Sequence, residues 1–374
     1  MSIKVTVSER VLHFKQLAGT SRGVYTTRKS WFVHLSDGEC EGVGECAPLP
    51  DLSCDARPDY GEVLQGFCDE VCRTGQIDYE ALRPYPSMLF GLETAMLDLR
   101  RQEAGVRSQE SGDRRQERGI LFDTAFTRGE VGIKINGLVW MGSYEEMLQR
   151  MEEKLEKGFD CVKLKIGAID FERELDLVKR IRQRFSFHDV ELRLDANGAF
   201  SMESGDRSQE TGDRSQESEA LYKLELLSQY AIHSIEQPIR QGQWAYMAEL
   251  CRESPLPIAL DEELIGVNDP EMKSHMLSII KPRYIVLKPS LHGGMQGCRE
   301  WIAAANELGI GSWITSALES NVGLNAIAQF TSDVYGDDIR MPQGLGTGQL
   351  FTDNIEMGLF IQNNMLFRHK NIRT

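Results

Sequence analysis

The sequence predicts an α/β protein in which an N-terminal α+β domain precedes a (β/α) barrel. Three observations lead there. From about Gly132 onward, short apolar strands alternate with amphipathic helices at intervals of roughly 30 residues, the repeat a (β/α) barrel requires. The first hundred residues instead group their strands ahead of their helices. No glycine-rich loop follows the first strand of the repeat, which disfavours an open dinucleotide-binding sheet.

In the N-terminal part, residues 3–7, 11–14 and 31–35 have β-type composition, and Asp37-Gly38 places a hairpin between 31–35 and the segment around Val43. Helices are expected at 61–74 and 87–104, the second with Leu89, Leu92, Met96 and Leu99 at helical spacing. The repeat then reads strand 132–140, helix 144–157, strand 161–166, helix 171–185, strand 190–194, helix 220–230 and strand 234–236. It continues with helix 244–252, strand 257–260, helix 270–277, strand 284–287, helix 295–308, strand 312–314 and helix 322–330. An eighth strand is expected near Met341. These boundaries divide the chain into an α+β domain at 1–125, a barrel at 126–345 and a C-terminal segment at 346–374 that returns to the first domain.

Composition narrows the function. Among 374 residues, 42 Lys and Arg against 57 Asp and Glu give a net charge of −15, a field that repels nucleic acid. The 41% hydrophobic content suits a large core, yet no run approaches the ~20 apolar residues of a membrane span, so no membrane insertion is expected. The first residues alternate polar and apolar like a strand rather than a signal peptide, which points to a cytoplasmic protein. The eight cysteines are scattered, and Cys68 and Cys72 share a helix face that reads as buried packing ahead of a redox or metal pair. Two segments, 107–118 and 204–218, share a polar heptad-length pattern without apolar residues. They read as solvated loops, with recruitment of a partner as the alternative.

Chemistry concentrates at the expected strand ends. In Cys161-Val162-Lys163-Leu164-Lys165-Ile166, alternation turns Lys163 and Lys165 to one face, into the barrel, unless this is an edge strand with exposed lysines. A lysine crowded by a second cation and desolvated has a lowered pKa and can serve as a general base. Asp195, Glu236 and Asp261 each fall at the C-terminal end of a successive strand, the rim where this fold places its chemistry. Singly, each acid could be a helix cap or surface charge. Together they call for a cation, and hard oxygen donors favour Mg²⁺, with Mn²⁺ as the alternative, over zinc. Lys288, followed by the strand-stopping Pro289, adds a lysine at the same rim.

Lys163-x-Lys165, Asp195-Ala196-Asn197, Glu236-Gln237-Pro238, Asp261-Glu262 and Lys288-Pro289, in this order, resemble the enolase superfamily in its muconate-lactonizing branch. The resemblance covers nearly the whole chain. It implies a barrel of that superfamily's type, with the N-terminal α+β unit as a capping domain completed by the C-terminal tail. It further implies Mg²⁺ held by Asp195, Glu236 and Asp261, Lys165 as base and then acid, and Lys288 as the facing cation. Lys163, Arg193, Asn197, Ser316, Leu318 and Glu319 would meet a small-molecule carboxylate substrate, beneath a lid containing Pro48, Leu49 and Pro50. Ser21-Arg22-Gly23-Val24, Arg193 and the segment 316–324 resemble a dehydratase of menaquinone synthesis within the branch. Segment 342–348 carries no acid, against the Asp-x-Asp of dipeptide epimerases, which disfavours a cationic substrate. The same site would also suit an N-acylamino acid racemase or a muconate cycloisomerase. A catalytically dead scaffold is the alternative from another class, and a homo-oligomer is left open.

Overall fold

The computed structural model of the chain describes residues 3–20, 23–108, 119–202 and 218–370. Ser21, Arg22 and most of both polar repeats lie outside the described residues.

In the cap, β1 (Lys4–Thr20), β2 (Gly23–Ser36) and β3 (Glu41–Cys46) form an antiparallel sheet in that order. The two short strands expected at 3–7 and 11–14 are one long strand whose register shifts between His13 and Ala18. The β2–β3 hairpin turns at Asp37, whose Oδ1 accepts from the amides of Glu39 and Cys40 at 2.9 and 2.7 Å. Helices α1 (Tyr60–Thr74), α2 (Tyr79–Leu82) and α3 (Pro86–Ser108) cover the sheet. β3 runs so close to α3 that a Cβ on Gly44 would stand 1.8 Å from the Gly91 carbonyl oxygen, so only glycine permits this packing. Cys68 is buried in the cap core while Cys72, one turn on, is exposed.

The predicted strand 132–140 divides into β4 (Ile133–Lys134), which leaves the barrel, and β5 (Gly137–Val139), which starts it. The barrel then alternates α4 (Tyr144–Glu156), β6 (Cys161–Lys165), α5 (Phe171–Arg184), β7 (Glu191–Asp195), α6 (Glu219–Ser228) and β8 (Ser234–Glu236). It continues with α7 (Trp244–Glu253), β9 (Ile258–Leu260), α8 (Pro270–Ile280), β10 (Tyr284–Leu287), α9 (Gly294–Glu307), β11 (Gly311–Ile314) and α10 (Asn321–Tyr335). Local chemistry sets the starts: Ser143 and Glu146 form a capping box on α4, and Asp269 caps α8 with Pro270 in its first turn. The strands pair in parallel in chain order from β5 to β11. Val162, Leu164, Leu192, Leu194 and Ile235 face the helices in the main core.

The eighth strand expected near Met341 does not form among the described residues. Gln343 bridges Ile135 and Gly344 bridges Thr315, so two residues close the barrel. Pro342 has no amide to donate, so the pairing is carried by Gln343 and Gly344, whose amides donate to Lys134 O and Ile314 O at 2.8 and 2.9 Å. The tail touches both units. Its hairpin of β12 (Leu359–Gln362) and β13 (Met365–Arg368) pairs with β4, while Phe351 packs on Phe14 of β1 at 4.6 Å between ring centroids. Among the described residues no helix is long and apolar enough to cross a membrane.

Candidate active site

Register builds the site. Lys165 pairs with Asp195 across β6 and β7, and Asp195 with Glu236 across β7 and β8, so three inward side chains stand side by side at the C-terminal rim. Asp261 directly follows β9, and Lys288 directly follows β10. Since β6 and β10 lie four strands apart in the sheet order, Lys165 and Lys288 rise from opposite walls.

Asp195, Glu236 and Asp261 are 1, 2 and 2% exposed. Lys163 Nζ donates to both Glu236 oxygens at 2.6 and 2.7 Å and stands 2.9 Å from Asp195 Oδ2. Lys165 Nζ is 3.1 Å from the same Oδ2 and donates to Asn197 Oδ1 at 2.8 Å. Asn197 Nδ2 donates in turn to Glu262 Oε1 at 2.9 Å, and Lys288 Nζ donates to Asp261 Oδ1. Gln237 fixes the turn after β9: its Oε1 accepts from the amides of Asp261 and Glu263 at 3.2 and 3.1 Å. Asn197 and Gln237 both hold left-handed backbone, at φ 45° and 42°, a strain of about 1–3 kcal/mol each that keeps the rim side chains aimed.

Burial and charge pull in opposite directions here. Burial alone would neutralise Lys163, but Asp195, Glu236 and Asp261 outweigh it and hold its pKa above the usual lysine value. Lys288 is raised likewise, burial being overcome first by Asp261. Burial would lift Asp195, yet Lys163 and Lys165 hold it below the usual range, and Lys288 chiefly does the same for Asp261. Glu236 is driven well above its ordinary value by burial and then by Asp195. Glu262 is raised by burial and then by Asp261. Four buried acids thus face three lysines, and Glu236 and Glu262 are the two whose charged forms are disfavoured. Among the described residues no three His, Cys, Asp or Glu side chains are already gathered as around an ion. The donor set nevertheless fits a hard divalent cation: three buried carboxylates on adjacent strands, with a fourth buried acid, Glu262, beside them.

A cavity of about 740 Å³ opens above this floor. Lys163, Lys165, Asp195, Asn197, Asp261, Lys288, Ser316, Leu318 and Leu49, the last expected in a lid, all line it. Glu236 lies beneath, held by Lys163. Two residues expected at the substrate, Arg193 and Glu319, and two expected in the lid, Pro48 and Pro50, do not line the cavity. Arg193 sits one layer lower, donating to Glu191 and to the Pro342 carbonyl and stacked 4.5 Å over Trp313, because two residues along a strand is one layer down the barrel. Glu319 is turned behind the loop it belongs to, accepting from Ser290 Oγ and the Ala317 amide. Pro48 and Pro50 flank Leu49 without lining the cavity, their carbonyls accepting from Arg28 and Tyr25. Glu262, Gln237, Tyr25 and Arg28 were missed, as was Trp140, which lines the cavity with its ring centroid 5.9 Å from Lys165 Nζ. Glu262 and Gln237 belong to the Asp261-Glu262 and Glu236-Gln237-Pro238 motifs, whereas Arg28 shares its strand face with Thr26, Ser30, Phe32, His34 and Ser36, a mixed face on which one more polar residue does not stand out.

Opposed lysines over buried carboxylates, at the rim of a capped barrel, define an enolase-superfamily protein. A family model described as "Enolase C-terminal domain-like" matches residues 146–349, and one described as "MenC, N-terminal domain" matches residues 20–99. The o-succinylbenzoate synthase of Desulfotalea psychrophila is 44% identical, over 95% of this chain and 96% of its own. That of Haemophilus influenzae is 25% identical over 79% and 77%. The crystal structure of MenC from Desulfotalea psychrophila superposes with a TM-score of 0.76 at 39% identity, covering 98% of this chain and all of the other. A dipeptide epimerase from Enterococcus faecalis, solved with Mg and the dipeptide L-Leu-L-Tyr, superposes at 0.78 with 19% identity over 99% and 98%, which shows the shared fold. The chain belongs to the o-succinylbenzoate synthase family.

Proposed function

We propose that the chain is a lyase that dehydrates 2-succinyl-6-hydroxy-2,4-cyclohexadiene-1-carboxylate to o-succinylbenzoate, a step of menaquinone formation, with Mg²⁺ as its ion. The observation that carries this reading is the placement of Lys165 and Lys288 on opposite walls of one cavity above a floor of buried carboxylates. In this reading the cap (1–125) covers the site, the barrel (126–345) holds it and the tail (346–374) ties the two.

Asp195, Glu236 and Asp261 would hold the ion, which when bound supplies Lewis-acid stabilisation of the charge developing on the substrate carboxylate. Lys165, as free amine, takes the α-proton; the C–H electrons pass into the carboxylate as an enediolate. The protonated Lys165 then returns its proton to the departing β-hydroxyl, water leaves, and the ring becomes aromatic. Lys288, paired with Asp261 and charged, faces the intermediate from the other wall and steadies it. Lys163 keeps the carboxylate floor compensated, and Asn197 orients Lys165 through its Oδ1. Purified protein given Mg²⁺ and the cyclohexadiene precursor should show the absorbance change of ring aromatisation. No turnover by folded protein with Mg²⁺ would refute the proposal.

A further inference from the structure

Arg28 belongs to cap strand β2, not to the barrel, and only 2% of it is exposed. Its guanidinium donates to carbonyls on two separate loops. On the lid, Nη1 reaches Pro48 O and Nη2 reaches Ala47 O, both at 2.5 Å. On the loop after β11, Nε reaches Leu318 O at 3.2 Å and Nη2 reaches Ala317 O at 3.5 Å. Among the described residues it forms no ion pair, and the opposing charges that act on it most are Glu319 and Glu45.

The loops it joins form two walls of the cavity. Leu49 follows Pro48 directly, and Leu49, Ala317 and Leu318 all line the space above the lysines. Leu318 holds left-handed backbone at φ 65°, which a leucine adopts only when its surroundings impose it, and its own carbonyl is one of the four acceptors. A planar fork with five N–H groups can bridge loops from two domains in this way; a single ammonium cannot.

We propose that Arg28 is a positioning residue that sets the distance between the lid at Leu49 and the wall at Leu318, and thereby the fit of the bound substrate. This rests on the lyase reading above. Arg28 touches none of the reacting groups, so its contribution is the same for bound substrate and transition state, and it appears in KM while kcat is kept.

Arg28→Lys retains the cation opposite Glu319 and Glu45 but cannot span both loops; Arg28→Met removes both. Each should raise KM about tenfold or more with kcat within about threefold. Without substrate, amide hydrogen exchange should quicken at residues 47–50 and 316–319 and nowhere else. A KM within twofold of wild type, unchanged exchange in those two loops, exchange that rises evenly through the chain, or failure of both variants to fold would each overturn the proposal. If wild-type protein shows no dehydration, the lyase reading falls alone, and the exchange comparison still judges whether Arg28 holds the loops.

Discussion

Two buried charged clusters in this molecule are built on opposite principles. At the barrel rim, acid meets ammonium: Asp195, Glu236, Asp261 and Glu262 face Lys163, Lys165 and Lys288. At the seam between cap and barrel, charge meets neutral groups. Glu45 accepts from Ser30 Oγ, from both the amide and Oγ of Ser320, and from the Gly323 amide, while Arg28 donates only to carbonyls. Ion pairs can exchange partners with an incoming ion or carboxylate and can move a proton. A charge wrapped in backbone dipoles can do neither, and so it fixes geometry. The difference teaches which cluster is suited to react and which to brace.

The sharpest break in that comparison comes from the rim lysines. Lys165→Ala should lose on the order of 10⁴-fold in kcat/KM and stop exchange of the substrate α-proton with solvent. Lys288→Ala should also be severely impaired, but Lys288→Arg should recover part of the rate if the role is electrostatic, since arginine keeps the charge and cannot act as a base. A Lys288→Arg variant as inactive as Lys288→Ala, folded and able to bind Mg²⁺, would instead favour a two-base racemase. Next in size, Asp195→Asn should weaken Mg²⁺ binding about a hundredfold by calorimetry. Undiminished affinity in that variant would remove Asp195 from the ion site.

The seam should respond in stability and leave ion binding alone. Glu45→Gln turns an amide NH₂ toward amide and hydroxyl donors and should cost about 1–3 kcal/mol in chemical denaturation. Its Mg²⁺ affinity should match wild type; a parallel loss of both would mean that the two clusters are not separable.

Elsewhere on the same seam, Glu93 of α3 caps the barrel helix α9, accepting from the Met295 and Gln296 amides at 2.6 and 3.1 Å. Burial pushes its carboxyl up to about 8 despite those amides, against an ordinary value of 4.5. The folded state therefore holds this proton more tightly than the unfolded one. The stability it adds is complete below about pH 4.5 and is lost as pH rises through about 8, at up to about 1.4 kcal/mol per pH unit. Urea midpoints at pH 5, 6.5 and 8 should show wild type losing ground to Glu93→Gln as pH rises. Parallel profiles would mean that Glu93 titrates normally.

What could be read in the sequence follows the same division. Lys163, Lys165, Asp195, Glu236, Asp261 and Lys288 announce themselves because period-two strands and their C-terminal ends fix where side chains go with little reference to the rest of the chain. Arg28 gives no such signal, since its acceptors lie 19 to 290 residues away. The same logic covers Arg193 and Glu319. Sequence position put them beside the site, but the layer of one and the loop path of the other are settled by tertiary packing. The eighth strand failed for a local reason that Pro342 could have signalled.

The smallest expected effect tests whether either cluster extends to the second polar repeat. The residues on either side of 205–215 are anchored without that stretch: the Ala220 amide donates to Ser201 O at 2.9 Å, and Ser218 Oγ caps α6 by accepting from the Leu221 amide at 3.2 Å. Those bonds bring the two ends of the segment together, so a short connection can span them, and shortening a loop changes its closure entropy only slowly. Removing residues 205–215 should therefore leave kcat/KM within about twofold, leave Mg²⁺ affinity unchanged, and shift the melting temperature by only a degree or two. A large fall in kcat/KM, with folding and Mg²⁺ binding intact, would show that the repeat reaches the rim. The reacting cluster would then have to be redrawn to include a segment that has no apolar residue to pack with.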